Sequence, residues 1–206
     1  MTLKDLQLRL LGLAASELTQ PDLRAYFELK QLLPRPGGKE RHAFESRFAI
    51  FYGLNAAAVS AKFKQQYFEK LFDADPTAKT WPDYRTLLRE LYVIPTRKKT
   101  KVFPASFVSK LVATRDESRP LYDRHVANFF GLAVPATGST TYRSEIFVSH
   151  LESLRDRYTE WSNRELMSVL EDLRHRIPPL TDCHSVRLCD FLVWTVGRKK
   201  LSESAQ

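Results

Sequence analysis

Cysteine is almost missing from this 206-residue chain: only Cys183 and Cys189 occur. Two thiols exclude a disulfide framework and make a cytoplasmic setting the default expectation. Glycine is scarce, at seven residues, and the apolar–polar alternation of strands is hardly seen, which argues against a sheet protein. No apolar run approaches the ~20 residues that span a bilayer, so no membrane partner is expected. The apolar stretch at 8–15 follows Lys4, but Asp5 and Arg9 interrupt it, and Leu3, Leu6, Leu10 and Leu13 recur at helical spacing. That pattern reads as an amphipathic helix, not a secretory signal. His42, His125, His150, His175 and His184 show no ligand spacing, and Cys183, His184 and Cys189 are too irregularly placed for a zinc site. Neither a bound metal nor a metal-dependent nuclease is expected.

What the chain does hold is material for a core. Its hydrophobic fraction is 43%, with 13 Phe, 8 Tyr and 3 Trp, and its charged fraction of 27% is ordinary for a folded protein. Helical periodicity recurs and predicts an all-α fold. The expected helices cover 3–18, 22–33, 39–52, 56–72, 83–92, 106–114, 124–131, 144–158, 163–176 and 186–201. Pro21 and Pro82 stand where helices begin, a place that tolerates the missing N–H. Ser162 with Glu165 three residues on has the form of a capping box. The Leu-Pro-Arg-Pro-Gly-Gly run at 33–38 reads as a turn, 133–141 as a loop and 202–206 as a loose tail. No repeat or low-complexity tract interrupts the chain. A change of composition near 93–100 divides an aromatic N-terminal lobe, 1–93, from a basic lobe with the C-terminal helices, 94–206. Two helical lobes with a groove between them are the expected architecture.

The formal charge of +8 and the pI near 9.5 point to a polyanionic partner. The charge is also concentrated. Between 94 and 135, eight basic residues (Arg97, Lys98, Lys99, Lys101, Lys110, Arg115, Arg119 and Arg124) face three acids (Asp116, Glu117 and Asp123). Arg97, Lys98, Lys99 and Lys101 lead into Pro104 and Ser106, a helix start where phosphate oxygens are favoured. In the helix that follows, Phe107, Val108, Leu111 and Val112 form one apolar face, and Lys110 falls off it. Asp123 then opens a short helix as its N-cap, with Val126, Phe129 and Phe130 directed inward.

The order Lys110, loop, Pro120, Asp123-Arg124-His125-Val126 resembles the active-site region of helix-hairpin-helix DNA glycosylases. The phrases S-F-V-S-K-L at 106–111, P-L-Y-D-R-H-V at 120–126 and D-F-L-V-W-T-V-G at 190–197 are similar to its divergent prokaryotic 8-oxoguanine-glycosylase-like branch. The chain departs from that family in having no glycine in 102–109, in a shorter interval between Lys110 and Asp123, and in lacking an iron–sulfur cysteine cluster. No cofactor is therefore expected.

The resemblance implies excision of a damaged or modified base from double-stranded DNA, with no obligate protein partner. Asp123 would stabilise positive charge developing on the sugar. Lys110 would attack the anomeric carbon and promote strand cleavage through a Schiff base. Ser106, Ser109, Arg124 and His125, with the four basic residues of 97–101, would contact DNA, and Tyr122 would line the pocket for the extruded base. Two other readings stay open: a non-catalytic basic DNA-binding module, and a helical scaffold whose charge is incidental. The excised base is left open, whether oxidised purine, alkylated base or a modified pyrimidine of invading DNA.

Overall fold

The computed structural model describes residues 2–33, 38–55, 59–73 and 83–199. Among the described residues the regular structure is entirely helical: ten α-helices and one short 3-10 turn, Pro178–Leu180. The chain divides into two compact units, 20–115 and 1–19 together with 116–206. The compositional break near 93 falls inside the first of these, between two helices that pack on each other.

The 20–115 unit holds α2 (Gln20–Leu32), α3 (Gly38–Phe51), α4 (Ala61–Asp73), α5 (Tyr84–Tyr92) and α6 (Ala105–Arg115). α2 packs on α3, and α4, α5 and α6 pack among themselves. Rings fill the interior. Phe48 is fully buried and meets Phe44, Tyr52, Tyr67 and Phe68 at centroid distances of 4.5–5.7 Å. Such tilted and edge-on pairs add to the burial of their large apolar areas. Tyr67, also buried, donates its hydroxyl to the Phe107 carbonyl of α6 at 2.9 Å, so its polar end is satisfied inside the cluster.

The other unit holds α1 (Leu3–Glu17), α7 (Arg124–Phe130), α8 (Thr140–Asn163), α9 (Met167–Arg176) and α10 (Ser185–Lys199). α10 is its axis and packs against α1, α7 and α8. Its run from Val186 to Val193 is buried on every side, as a helix enclosed by others must be. α1 starts in a capping box: Thr2 accepts from the Asp5 amide while Asp5 accepts from the Thr2 amide. α7 stops at Gly131, whose φ of 68° is the left-handed cap that glycine takes without strain.

The helix boundaries correct several expectations. Ser162 caps nothing: it lies inside α8, and its hydroxyl donates to the Thr159 carbonyl. α8 begins earlier than expected because Ser139 accepts from the Tyr142 amide, and α9 begins later, at Met167. α4 begins at Ala61, with the Ser60 hydroxyl accepting from the Phe63 amide. Pro21 is the second residue of α2, inside it. Pro82, most of the 33–38 turn and the 202–206 tail lie outside the described residues.

Candidate active site

α6 carries Lys110. Pro104 precedes the helix, and the Pro104 carbonyl accepts from the Val108 amide. Val108, Leu111 and Val112 are buried, which leaves Lys110 half-buried at the side of that face. Its Nζ donates to the Tyr52 carbonyl at 3.2 Å and stands 5.7 Å from the Tyr52 ring centroid. Tyr52 follows the last residue of α3, and carbonyls at a helix C-terminus attract a cation.

Upstream lies the basic loop 96–100. It is closed at its base: the Thr96 amide donates to the Thr100 carbonyl at 2.8 Å, the Lys99 amide to the Thr96 carbonyl at 3.0 Å, and the two threonine hydroxyls share a hydrogen bond at 2.9 Å. Arg97, Lys98, Lys99 and Lys101 are all exposed. Lys99 has φ 58°, a left-handed conformation rare for a residue with a Cβ. Lys101 extends over the Tyr92 ring at 5.8 Å. Ser106 is half-buried, whereas Ser109 is fully buried, with its hydroxyl donated to the Ser106 carbonyl, and so is turned away from any surface a phosphate could reach.

Asp123 opens α7 in the other unit. Its Oδ1 accepts from the His125 amide at 2.8 Å and the Val126 amide at 3.1 Å. One carboxylate oxygen thus satisfies two of the orphan amides at the helix start, and Oδ2 takes no part in the cap. Tyr122, beside it, is buried. Its hydroxyl donates to the Leu132 carbonyl at 2.5 Å and accepts from the Val134 amide at 3.0 Å, while its ring lies edge-on to Phe147 and stacks with His150. These bonds make Tyr122 a clamp between two segments of its own unit. Lys110 and Asp123 belong to different units.

Under the Asp123 loop sits a group of charges that sequence reasoning missed. Arg187 and Asp190 of α10 are both essentially buried, and Arg187 Nη1 donates to Asp190 Oδ2 at 2.7 Å. Both Asp190 oxygens also accept from the Leu121 amide, each at 3.1 Å. Burial pushes the Asp190 carboxyl up to about 7, against the pull of Arg187 and the Leu121 amide; the charge of Asp123 adds to the rise. Tyr158 of α8 is buried in the same place, its hydroxyl driven well above the usual phenol range by burial and then by the charge of Asp190. That hydroxyl has no partner of standard hydrogen-bond geometry. The signal in the sequence was two opposite charges three apart within V-R-L-C-D-F-L-V, where every other position is apolar.

The C-terminal half of α10 comes close to α7. A Cβ placed on Gly197 would stand 2.2 Å from His125 Nδ1 and 3.0 Å from His125 Cβ, so a glycine is what lets the ring sit there. Beside this contact is an open cavity of about 450 Å³, with Leu10, Phe129, Val193 and Val196 as apolar walls and Arg124, His125 and Asn128 as polar ones. No group of three or more metal-ligating side chains occurs among the described residues. The two cysteines, Cys183 and Cys189, are buried, and burial raises the Cys189 thiol further out of reactive range. No helix among the described residues is long and apolar enough to cross a membrane.

No family model, curated protein or solved structure matches the chain.

Proposed function

We propose that the protein is a DNA glycosylase of helix-hairpin-helix type, in which Asp123 and Lys110 are the catalytic residues and the basic loop 96–101 holds the DNA backbone. The observation that carries this reading is the Asp123 carboxylate: one oxygen is pinned by two backbone amides, which leaves the other oriented and outside the cap. A carboxylate held in this way suits a transition state in which the sugar becomes cationic, because it does not have to reorganise as charge develops. In the reaction the C1′–N bond breaks and its electron pair leaves with the base, which takes up a proton. The neutral form of a lysine amine, here that of Lys110, bonds to C1′; the ring oxygen then leaves C1′ and is protonated, giving an iminium that supports loss of the 3′ phosphate. Lys110 is the lysine that the resemblance points to for this role, and it is half-buried on α6.

The experiment is a panel of duplexes, each with one oxidised, alkylated or otherwise modified base, scored for base release and for borohydride trapping of a protein–DNA adduct. Asp123→Asn keeps a side-chain oxygen for the cap, so the fold and DNA binding are expected to persist while base release falls by roughly 100- to 1,000-fold. Lys110→Ala is expected to abolish the trapped adduct. A non-catalytic DNA-binding module is the second reading, favoured by the exposure of Arg97, Lys98, Lys99 and Lys101, which needs neither catalytic residue. DNA binding with no base release and no adduct on any duplex decides for it.

A further inference from the structure

The pair on α10 is an odd thing to find in a core. A buried ion pair is at best neutral for stability against apolar side chains of the same volume, since desolvating two charges offsets most of their attraction. Stability alone does not explain Arg187 and Asp190, but what Asp190 holds does. Its two oxygens converge on one backbone amide, that of Leu121, which lies outside every helix and two residues before Asp123. The next residue, Tyr122, is gripped from another side through Leu132 and Val134. The residue after that is Asp123, fixed to α7 by its cap. Three consecutive residues are therefore fastened to α10, to the loop after α7 and to the start of α7, and Pro120 before them restricts the entry of the chain.

We infer that Asp190 is a positioning residue that anchors the 121–123 loop to α10 and thereby fixes where the Asp123 carboxylate points. Arg187 offsets the charge of Asp190 in the core, and Asp190 holds the loop. The anchoring stands on hydrogen bonds alone; its consequence for catalysis rests on the role proposed for Asp123.

Two double variants separate anchoring from simple packing. Arg187→Met/Asp190→Leu removes both charges and the acceptor for Leu121, without stranding a charge in the core. Arg187→Met/Asp190→Asn also removes the charges but leaves a carbonyl oxygen for the Leu121 amide. Amide hydrogen exchange at Leu121, His125 and Val126 is measured in each, with the kcat and KM of base release on whichever duplex the wild type excises. The leucine variant is expected to exchange Leu121 at least about tenfold faster. Its kcat should fall by about ten- to 100-fold with KM little changed, the cost of a small misplacement. The asparagine variant should restore most of both. Unchanged Leu121 exchange in the leucine variant, or equal behaviour of the two variants, overturns the inference. If the leucine variant does not fold, slow Leu121 exchange retained in the asparagine variant supports the anchor, and fast exchange there overturns it. If the wild type releases no base from any duplex, the glycosylase reading fails, and exchange alone decides the anchor.

Discussion

The 20–115 unit fills its interior with rings, while the unit of 1–19 and 116–206 places an ion pair in its own. In the first, Phe44, Phe48, Tyr67 and Phe68 interlock, and the buried polar residues among those described are Thr96, at the base of the basic loop, and Ser109, bonded within α6. In the second, the axial helix carries Arg187, Asp190 and Thr195 among its leucines and valines. The aromatic core is explained by the area it removes from water. The ion pair is not, and it stands directly beneath the loop that bears Asp123. An interior that merely holds a fold and one that also aims a side chain can be told apart by whether an apolar replacement is tolerated.

The largest expected effect tests that distinction. Phe48→Ala deletes a fully buried ring with four aromatic neighbours and should cost about 3–5 kcal/mol of unfolding free energy, read from denaturant melts. Arg187→Met/Asp190→Leu should cost less than about 1.5 kcal/mol, or stabilise. If the double change on α10 costs as much as the phenylalanine, the pair is a pillar of the fold and the contrast between the units collapses. Arg187→Met alone should be far worse than the double change, because it leaves Asp190 buried without its counter-charge.

The contact between Gly197 and His125 is next in size. Glycine to alanine inside a helix ordinarily stabilises by roughly 0.5–1 kcal/mol. Here the new methyl would meet the His125 ring at its root, where the side chain cannot swing aside freely. Gly197→Ala should therefore destabilise, by about 1–3 kcal/mol as overpacking does, and shift the His125 ring resonances. A gain in stability would show that α7 yields easily, and with it the Asp123 cap.

A smaller effect comes from pH. Asp190 is raised to about 7 in the folded protein, whereas an unfolded aspartate titrates near ~3.9. Between those values the folded state holds a proton that the unfolded state has released. The stability this contributes is full at low pH and is lost as pH rises through 7. The groups acting on Asp190 are Arg187 of its own helix, the Leu121 amide and Asp123 from the loop, and Tyr158 from α8. The stability of the wild type minus that of Arg187→Met/Asp190→Leu should thus decline between about pH 5 and 7 and level off above it, with a slope no steeper than one proton allows, about 1.4 kcal/mol per pH unit. A difference that stays flat over that range would mean that Arg187 keeps the carboxylate ionised throughout.

The same contrast explains what could be read from the chain alone. The Asp123 cap, the apolar face of α6 and the all-helical fold were legible, because caps and periodicity are local. Ser162 was misread because a serine followed by a glutamate has one spelling at a helix start and in the last turn of a helix, where its hydroxyl turns back to Thr159. The anchor was only half legible: two opposite charges three apart in an apolar run mark Arg187 and Asp190, but their partner at Leu121 emerges only when α1, α7 and α8 close around α10. Nor does a sequence announce that α1 packs with helices more than a hundred residues away, or that α5 and α6 share a unit across the change in composition near 93.

The smallest expected change concerns Lys99, where strain and charge meet in one residue. Its φ of 58° costs an L-residue roughly 1–2 kcal/mol, a cost the loop sustains through its Thr96–Thr100 closure. Such strain at an exposed basic tip is what a phosphate-contacting loop would retain and a solubility loop would not need. Lys99→Gly relieves the backbone but adds about 0.5–1 kcal/mol of unfolded-state freedom, so stability should rise by no more than about 1.5 kcal/mol. If Lys99 meets a phosphate, the slope of log binding constant against log salt on duplex DNA should flatten by about 0.9. Lys99→Asn is the control, since asparagine tolerates the same conformation and removes the same charge. Both variants should lose the same slope, and only the glycine variant should carry the added freedom of the unfolded chain. A full wild-type slope in both would put the DNA contacts on basic residues other than Lys99.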